Sequence, residues 1–163
     1  MNMTHYMELL ASNQPWNLLI FMAVPVIFAE TITITELYIL YTRKFDSIAR
    51  KINICACITV GIYFLGIFAY LIKNAVVPIS AAGEWRTAVD IIAVGFYLLG
   101  VVPLFGMTLL ELGIIGRNRD ELWKLKIHSV FVAIFLVVAH VAMIAGMINP
   151  DIFSGTGETI HGM

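Results

Sequence analysis

Four long apolar blocks, at residues 16–41, 52–73, 89–115 and 123–148, leave this chain little choice of fold. Each exceeds the roughly 18 residues that an α-helix needs to cross a hydrocarbon core about 30 Å thick. Inside lipid every backbone N–H and C=O has to be satisfied within its own segment, which demands helices; the short alternating segments of a membrane barrel are absent. Composition agrees. Of the 163 residues 60% are hydrophobic and 13% charged, whereas soluble domains run near half and a quarter. The expected fold class is all-α, an integral membrane up-down four-helix bundle, one domain over residues 1–163. A net charge of −1 offers no attraction to nucleic acid.

The basic residues set the expected orientation. Arg43, Lys44, Arg50 and Lys51 fall between the first two blocks, and Arg117 and Arg119 between the last two, with Lys124 and Lys126 at the very start of the fourth. Only Lys73 and Arg86 fall in the remaining connection. The positive-inside rule then places both basic loops in the cytoplasm and both termini on the outer, periplasmic side of a bacterial inner membrane. No Lys or Arg precedes the first block, so a cleavable signal peptide is not expected.

Local signals fill in the rest. Met3, Tyr6, Met7 and Leu10 have helical spacing, which predicts an amphipathic helix over 3–10 lying on the outer interface. Pro25 should kink the first span and free a carbonyl one turn earlier. Pro103 with Gly100 and Gly106 predicts a second kink. VVPISAAGEWR, residues 76–86, reads as an outer loop that returns along the interface. Thr87 followed by Asp90 reads as a capping box, which assigns Asp90 to a helix start. Cys55 and Cys57, two apart on a helix, point to different faces and are expected to stay reduced. The second span's packing face is expected along Cys55, Thr59, Gly66 and Tyr70. The tail 151–163 is polar and glycine-rich, and is expected to be flexible.

Within the first block, FAETITITELY places Glu30 and Glu36 in a membrane span. A charged side chain at the bilayer centre costs several kcal/mol unless it is turned inward, paired or neutralised. Counting residues from the basic loops puts Glu36, Glu111 and His128 at one depth, within about one helical turn. Met22, His140 and Met143 form a second layer nearer the outside. Glu30 lies between them and reads as a proton-bearing acid.

Four readings follow. Glu36, Glu111 and His128 from three helices are similar to a carboxylate-rich iron or manganese shell, although the Glu-x-x-His spacing of di-iron proteins is missing. His128 and His140 on one span resemble, loosely, the haem ligands of di-haem membrane cytochromes b. With no histidine on another span, that likeness implies His/Met ligation of haem b, by Met22 opposite His140 and Met107 opposite His128. Met3, His5, Met7, His161 and Met163 offer thioether and imidazole groups suited to external copper. Intramembrane Glu and His also mark proton paths, and buried polar pairs can serve only to fix helix pairing in an accessory subunit. As a whole the chain resembles small bacterial four-span membrane proteins of uncharacterised function, a likeness that implies the fold and no site.

No nucleophile with its base, phosphate loop or zinc motif is present, so a stand-alone enzyme is not expected. The leading expectation is a small subunit of a larger redox or metal-handling complex, with copper, iron or haem b as the cofactors in view. The alternative is an accessory subunit or proton-path component. In either case the partners are the lipid bilayer and other membrane subunits or further copies of the chain.

Overall fold

The computed structural model describes residues 4–85 and 87–148. Among them every regular element is helical. A short helix, α1 (His5–Ala11), precedes four helices long and apolar enough to cross a membrane: α2 (Trp16–Thr42), α3 (Ile48–Ala82), α4 (Ala88–Glu111) and α5 (Glu121–Met147). Four such helices make this a multi-pass membrane protein.

The largest departure from the sequence boundaries is in α3. It starts at Ile48 rather than near 52 because the Ser47 hydroxyl caps it, accepting from Arg50 N at 3.3 Å. Arg50 is thereby moved from the basic loop into the first turn of a helix. At its other end α3 continues past Lys73 through a π turn, Ile72–Val76, to Ala82, over residues where the sequence predicts a loop. The wider turn falls just ahead of Pro78, whose ring would otherwise meet the carbonyl four residues back. Gly83, at φ 67°, then closes the helix in the left-handed conformation.

Pro25 acts as its chemistry requires. A π turn, Leu19–Ala23, precedes it, with Val24 N bonded to Leu19 O. The missing proline N–H leaves carbonyls of the preceding turn without a helical donor. Two phenols supply one: Tyr97 donates to Phe21 O at 2.6 Å and Tyr63 to Ile20 O at 2.9 Å. The kink is thus bonded to α3 and α4.

α4 is interrupted at Gly100, whose N–H donates to Tyr97 O at 3.1 Å. Before this break α4 packs mainly on α5; after it, mainly on α3. The approach of α3 to α4 is closest at Gly61, where an added Cβ would sit 1.8 Å from Thr108 Oγ1 and 2.8 Å from Leu104 O. Thr108 Oγ1 also donates across the interface to Cys57 O at 2.9 Å. Contact between α2 and α5 is sparse.

The expected packing face of the second span is overturned. Cys55 and Thr59 are exposed, Tyr70 is 54% exposed, and Gly66 has no neighbour for an added Cβ. The buried face runs through Asn53, Ala56, Cys57, Val60, Gly61, Phe64 and Ile67. Both cysteines are free and only Cys57 is buried.

α1 is docked onto the spans more firmly than an interfacial helix would be. Tyr6 and Leu10 are buried. The Tyr6 ring lies 5.4 Å from that of Tyr97 and covers Gly146. Burial pushes the Tyr6 phenol up to about 12. Thr4 caps α1 and donates to Gly146 O at 2.8 Å. The Asp90 carboxylate accepts from His5 N at 2.7 Å and pairs with His5 Nδ1. This corrects the capping-box expectation. α4 does begin after Thr87, but the Thr87 side chain makes no cap bond, and the Asp90 side chain, fully buried, holds α1 instead.

Candidate functional site

The end of α2, the starts of α3 and α5 and the end of α4 meet in one layer, and their polar residues form a connected cluster. His128, wholly buried, lies at its centre. Its Nδ1 hydrogen-bonds Glu36 Oε1 at 3.1 Å. Its Nε2 stands within ion-pair distance of Glu111 Oε1, at 3.4 Å, but makes no hydrogen bond among the described residues. The imidazole therefore sits between two carboxylates, bonded to one and poised against the other. Ser129 reaches the second oxygen of Glu36 at 3.4 Å.

Arg50 joins this group from α3. It holds Glu111 with both guanidinium arms, Nη1 to Oε1 at 2.6 Å and Nη2 to Oε2 at 3.1 Å. Nη2 also donates to Glu121 Oε2 at 2.7 Å, and Lys124 donates to Glu121 Oε1 at 3.1 Å. The side chains of Arg50 and Glu111 are 6% and 3% exposed, that of Glu121 44%, so the cluster runs from the interior to the basic-loop end. Asn53 completes the frame. It accepts from Arg50 Nη1 at 3.1 Å and donates to Ile32 O and Thr35 Oγ1 on α2.

The charges decide what this arrangement can do. Counted by formal charge, the three carboxyl groups of Glu36, Glu111 and Glu121 stand against two basic side chains, Arg50 and Lys124. One proton, on His128 or on a carboxyl, brings the cluster to neutrality. Arginine does not release protons; Arg50 holds Glu111 and Glu121 on one nitrogen.

Sequence counting brings Glu36, Glu111 and His128 to one depth, and the structure brings them together. It also gathers the second layer. Met22, His140 and Met143 line one cavity of about 290 Å³ between α2 and α5, and Glu30, expected between the two layers, lines it as well. Glu30 and His140 are exposed at its rim. His140 Nδ1 donates to its own helix at Leu136 O, 2.6 Å away. Met107 is buried in the core. Of the external copper set, His5 is paired with Asp90 and Met7 is partly buried against the core; Met3, His161 and Met163 lie outside the described residues. Among the described residues no group of three or more His, Cys, Asp and Glu is arranged to hold a metal ion. In the inner cluster the Arg50 guanidinium supplies the positive charge that a carboxylate shell would draw from a metal.

Arg50, Asn53 and Glu121 are the members of this cluster that sequence reasoning passed over. The signal was present: Ser47 stands three residues before Arg50, and Asn53 three after it on the same helical face.

The model of a family described as of unknown function, DUF6803, matches residues 1–161. The chain belongs to this family. No curated protein and no solved structure matches it. The likeness to di-haem cytochromes b finds no support. Both ring nitrogens of His128 face carboxylates rather than an open coordination site.

Proposed function

We propose that the chain is a proton-path component of a membrane complex, with its helices up and down across a bacterial inner membrane, basic loops in the cytoplasm and both termini outside. The observation that carries this is the inner cluster's charge: a buried imidazole between two carboxylates, in a group one positive charge short of neutrality. Such a group holds an exchangeable proton, and Glu121 connects it to water. Intramembrane acids and imidazoles characteristically mark such paths. Further ionisable groups continue away from the cluster. Glu30 lies six residues before Glu36, a rise of about 9 Å along α2. His140 faces the same cavity, and the His5–Asp90 pair lies at the other end of the spans.

The redox or metal-handling reading keeps one observation in its favour. The Nδ1 bond of His140 to a carbonyl is the outer contact that metal-binding histidines usually make, and Met22 and Met143 line the same cavity. Among the described residues no group of three or more His, Cys, Asp and Glu is arranged around these side chains.

Infrared difference spectra of the full chain in lipid, recorded on stepping between about pH 4 and pH 8, the range that brackets free Glu and His, test the exchangeable proton. The expected result is a carboxyl band that is absent in Glu36→Gln and shifts its midpoint in His128→Gln. A spectrum identical in wild type and Glu36→Gln would make the cluster a fixed structural device.

A further inference from the structure

The cavity between α2 and α5 has a built shape. The π turn at Leu19–Ala23 and Pro25 re-route α2 beside it. Gly100 leaves room where a Cβ would meet Phe64 at 3.3 Å and Phe135 at 3.4 Å. Its walls are almost wholly apolar, with the rings of Phe21, Phe64, Tyr97 and Phe135 among them. The volume, about 290 Å³, stands near the lower end of the small-molecule range, enough for one ring with its substituents while a tail remains outside.

The mouth points sideways. The rim residues Val26 and Leu136 are 39% and 40% exposed, on helices whose exposed faces meet hydrocarbon. An occupant therefore arrives from the bilayer and is itself lipophilic. The rim also carries two polar groups that hydrocarbon cannot satisfy. Among the described residues Glu30 has no hydrogen-bond or ion-pair partner. His140 commits its Nδ1–H to Leu136 O, so the neutral ring offers Nε2 as an acceptor. A carboxyl accepts through its carbonyl oxygen in either protonation state. Two acceptors at an apolar, ring-lined mouth call for a ligand with O–H donors on a flat ring.

We propose that this cavity binds a lipophilic hydroxy-aromatic molecule of the quinol class, its ring between the aromatic walls and its hydroxyls on Glu30 and His140. The site shares no residue with the inner cluster; Glu30 and His140 also stand along the proposed proton path, but ligand binding is read without any proton flux.

The test is calorimetric titration of the full chain in lipid nanodiscs, with empty discs subtracted, using decylhydroquinone and its dimethyl ether. The two probes share ring and tail and differ in the O–H donors. Saturable binding of the hydroquinone is expected, with the ether weaker by about tenfold or more, the worth of a lost hydrogen bond. Glu30→Leu and His140→Leu, both at exposed rim positions that leave the packing intact, should each weaken the hydroquinone by about tenfold. Ala139→Phe, which fills the cavity, should abolish binding. Equal binding of the two probes would mean that the groove takes any lipid-like molecule and would overturn the proposal. So would the absence of saturable binding to the folded chain, or a self-association of the chain that excludes the hydroquinone.

Discussion

Replacing Arg50 with alanine is expected to destabilise the protein by about 3–5 kcal/mol, the usual cost of breaking one side of a buried ion pair. The reason is the state left behind. Glu111 loses both hydrogen bonds to its carboxylate while its side chain stays 3% exposed. Asn53 loses the stronger of two donors on its oxygen, keeping only the Cys57 thiol at 4.0 Å, which weakens its hold on Ile32 O and Thr35. A typical domain has only about 5–15 kcal/mol to lose, so the variant should accumulate poorly and unfold at markedly lower denaturant in detergent. Arg50→Lys should fall between wild type and alanine. It keeps the charge but cannot hold two carboxylates in a planar fork. An alanine variant as stable as wild type would show that the guanidinium does not hold the cluster.

The second large effect is expected at Gly61. Alanine there puts a methyl carbon 1.8 Å from Thr108 Oγ1 and 2.8 Å from Leu104 O. The hydroxyl can rotate only by giving up Cys57 O, and the backbone carbonyl can recede only if α3 and α4 separate. Overpacking of this kind costs about 1–3 kcal/mol. Adding Thr108→Ala removes the first clash and not the second, so the double variant should remain less stable than Thr108→Ala alone. Gly66→Ala is the internal control. It lies in the same helix with nothing within 4 Å of the new carbon, and should be neutral or more stable by up to about 1 kcal/mol. Equal effects at the two glycines, read by denaturation in one detergent, would contradict the close approach at Gly61.

The same two glycines show where sequence reasoning works in such a chain and where it stops. Lipid imposes long contiguous apolar helices, so four blocks announce four spans. Lipid also makes the outer face of each helix as apolar as the inner one, and the periodicity that separates inside from outside in a soluble helix fades. Small residues then have to stand in for it. Gly66 and Gly61 are alike in sequence, yet only Gly61 meets a neighbouring helix. Depth is more legible than direction. Counting from the basic loops suffices to bring Glu36, Glu111 and His128 to one layer, and Met22, His140 and Met143 to another. Arg50 was hidden because a basic residue beside basic residues reads as loop. Asp90 was hidden because Thr87 three residues earlier satisfies a local capping pattern, while its partner, His5, lies 85 positions away in sequence. Pro25 shows the converse. A missing N–H predicts a freed carbonyl from one residue alone, and Tyr97 and Tyr63 supply the donors.

Whether the inner cluster passes protons is read from flux across a vesicle membrane. The full chain would be reconstituted into liposomes loaded with a pH-sensitive dye, and a potassium diffusion potential imposed. A potential-driven internal pH change above that of protein-free vesicles is expected, lost in Glu36→Gln and in His128→Gln at unchanged helical content. A flux no greater than that of empty vesicles, or one that survives both substitutions, would contradict the proton path.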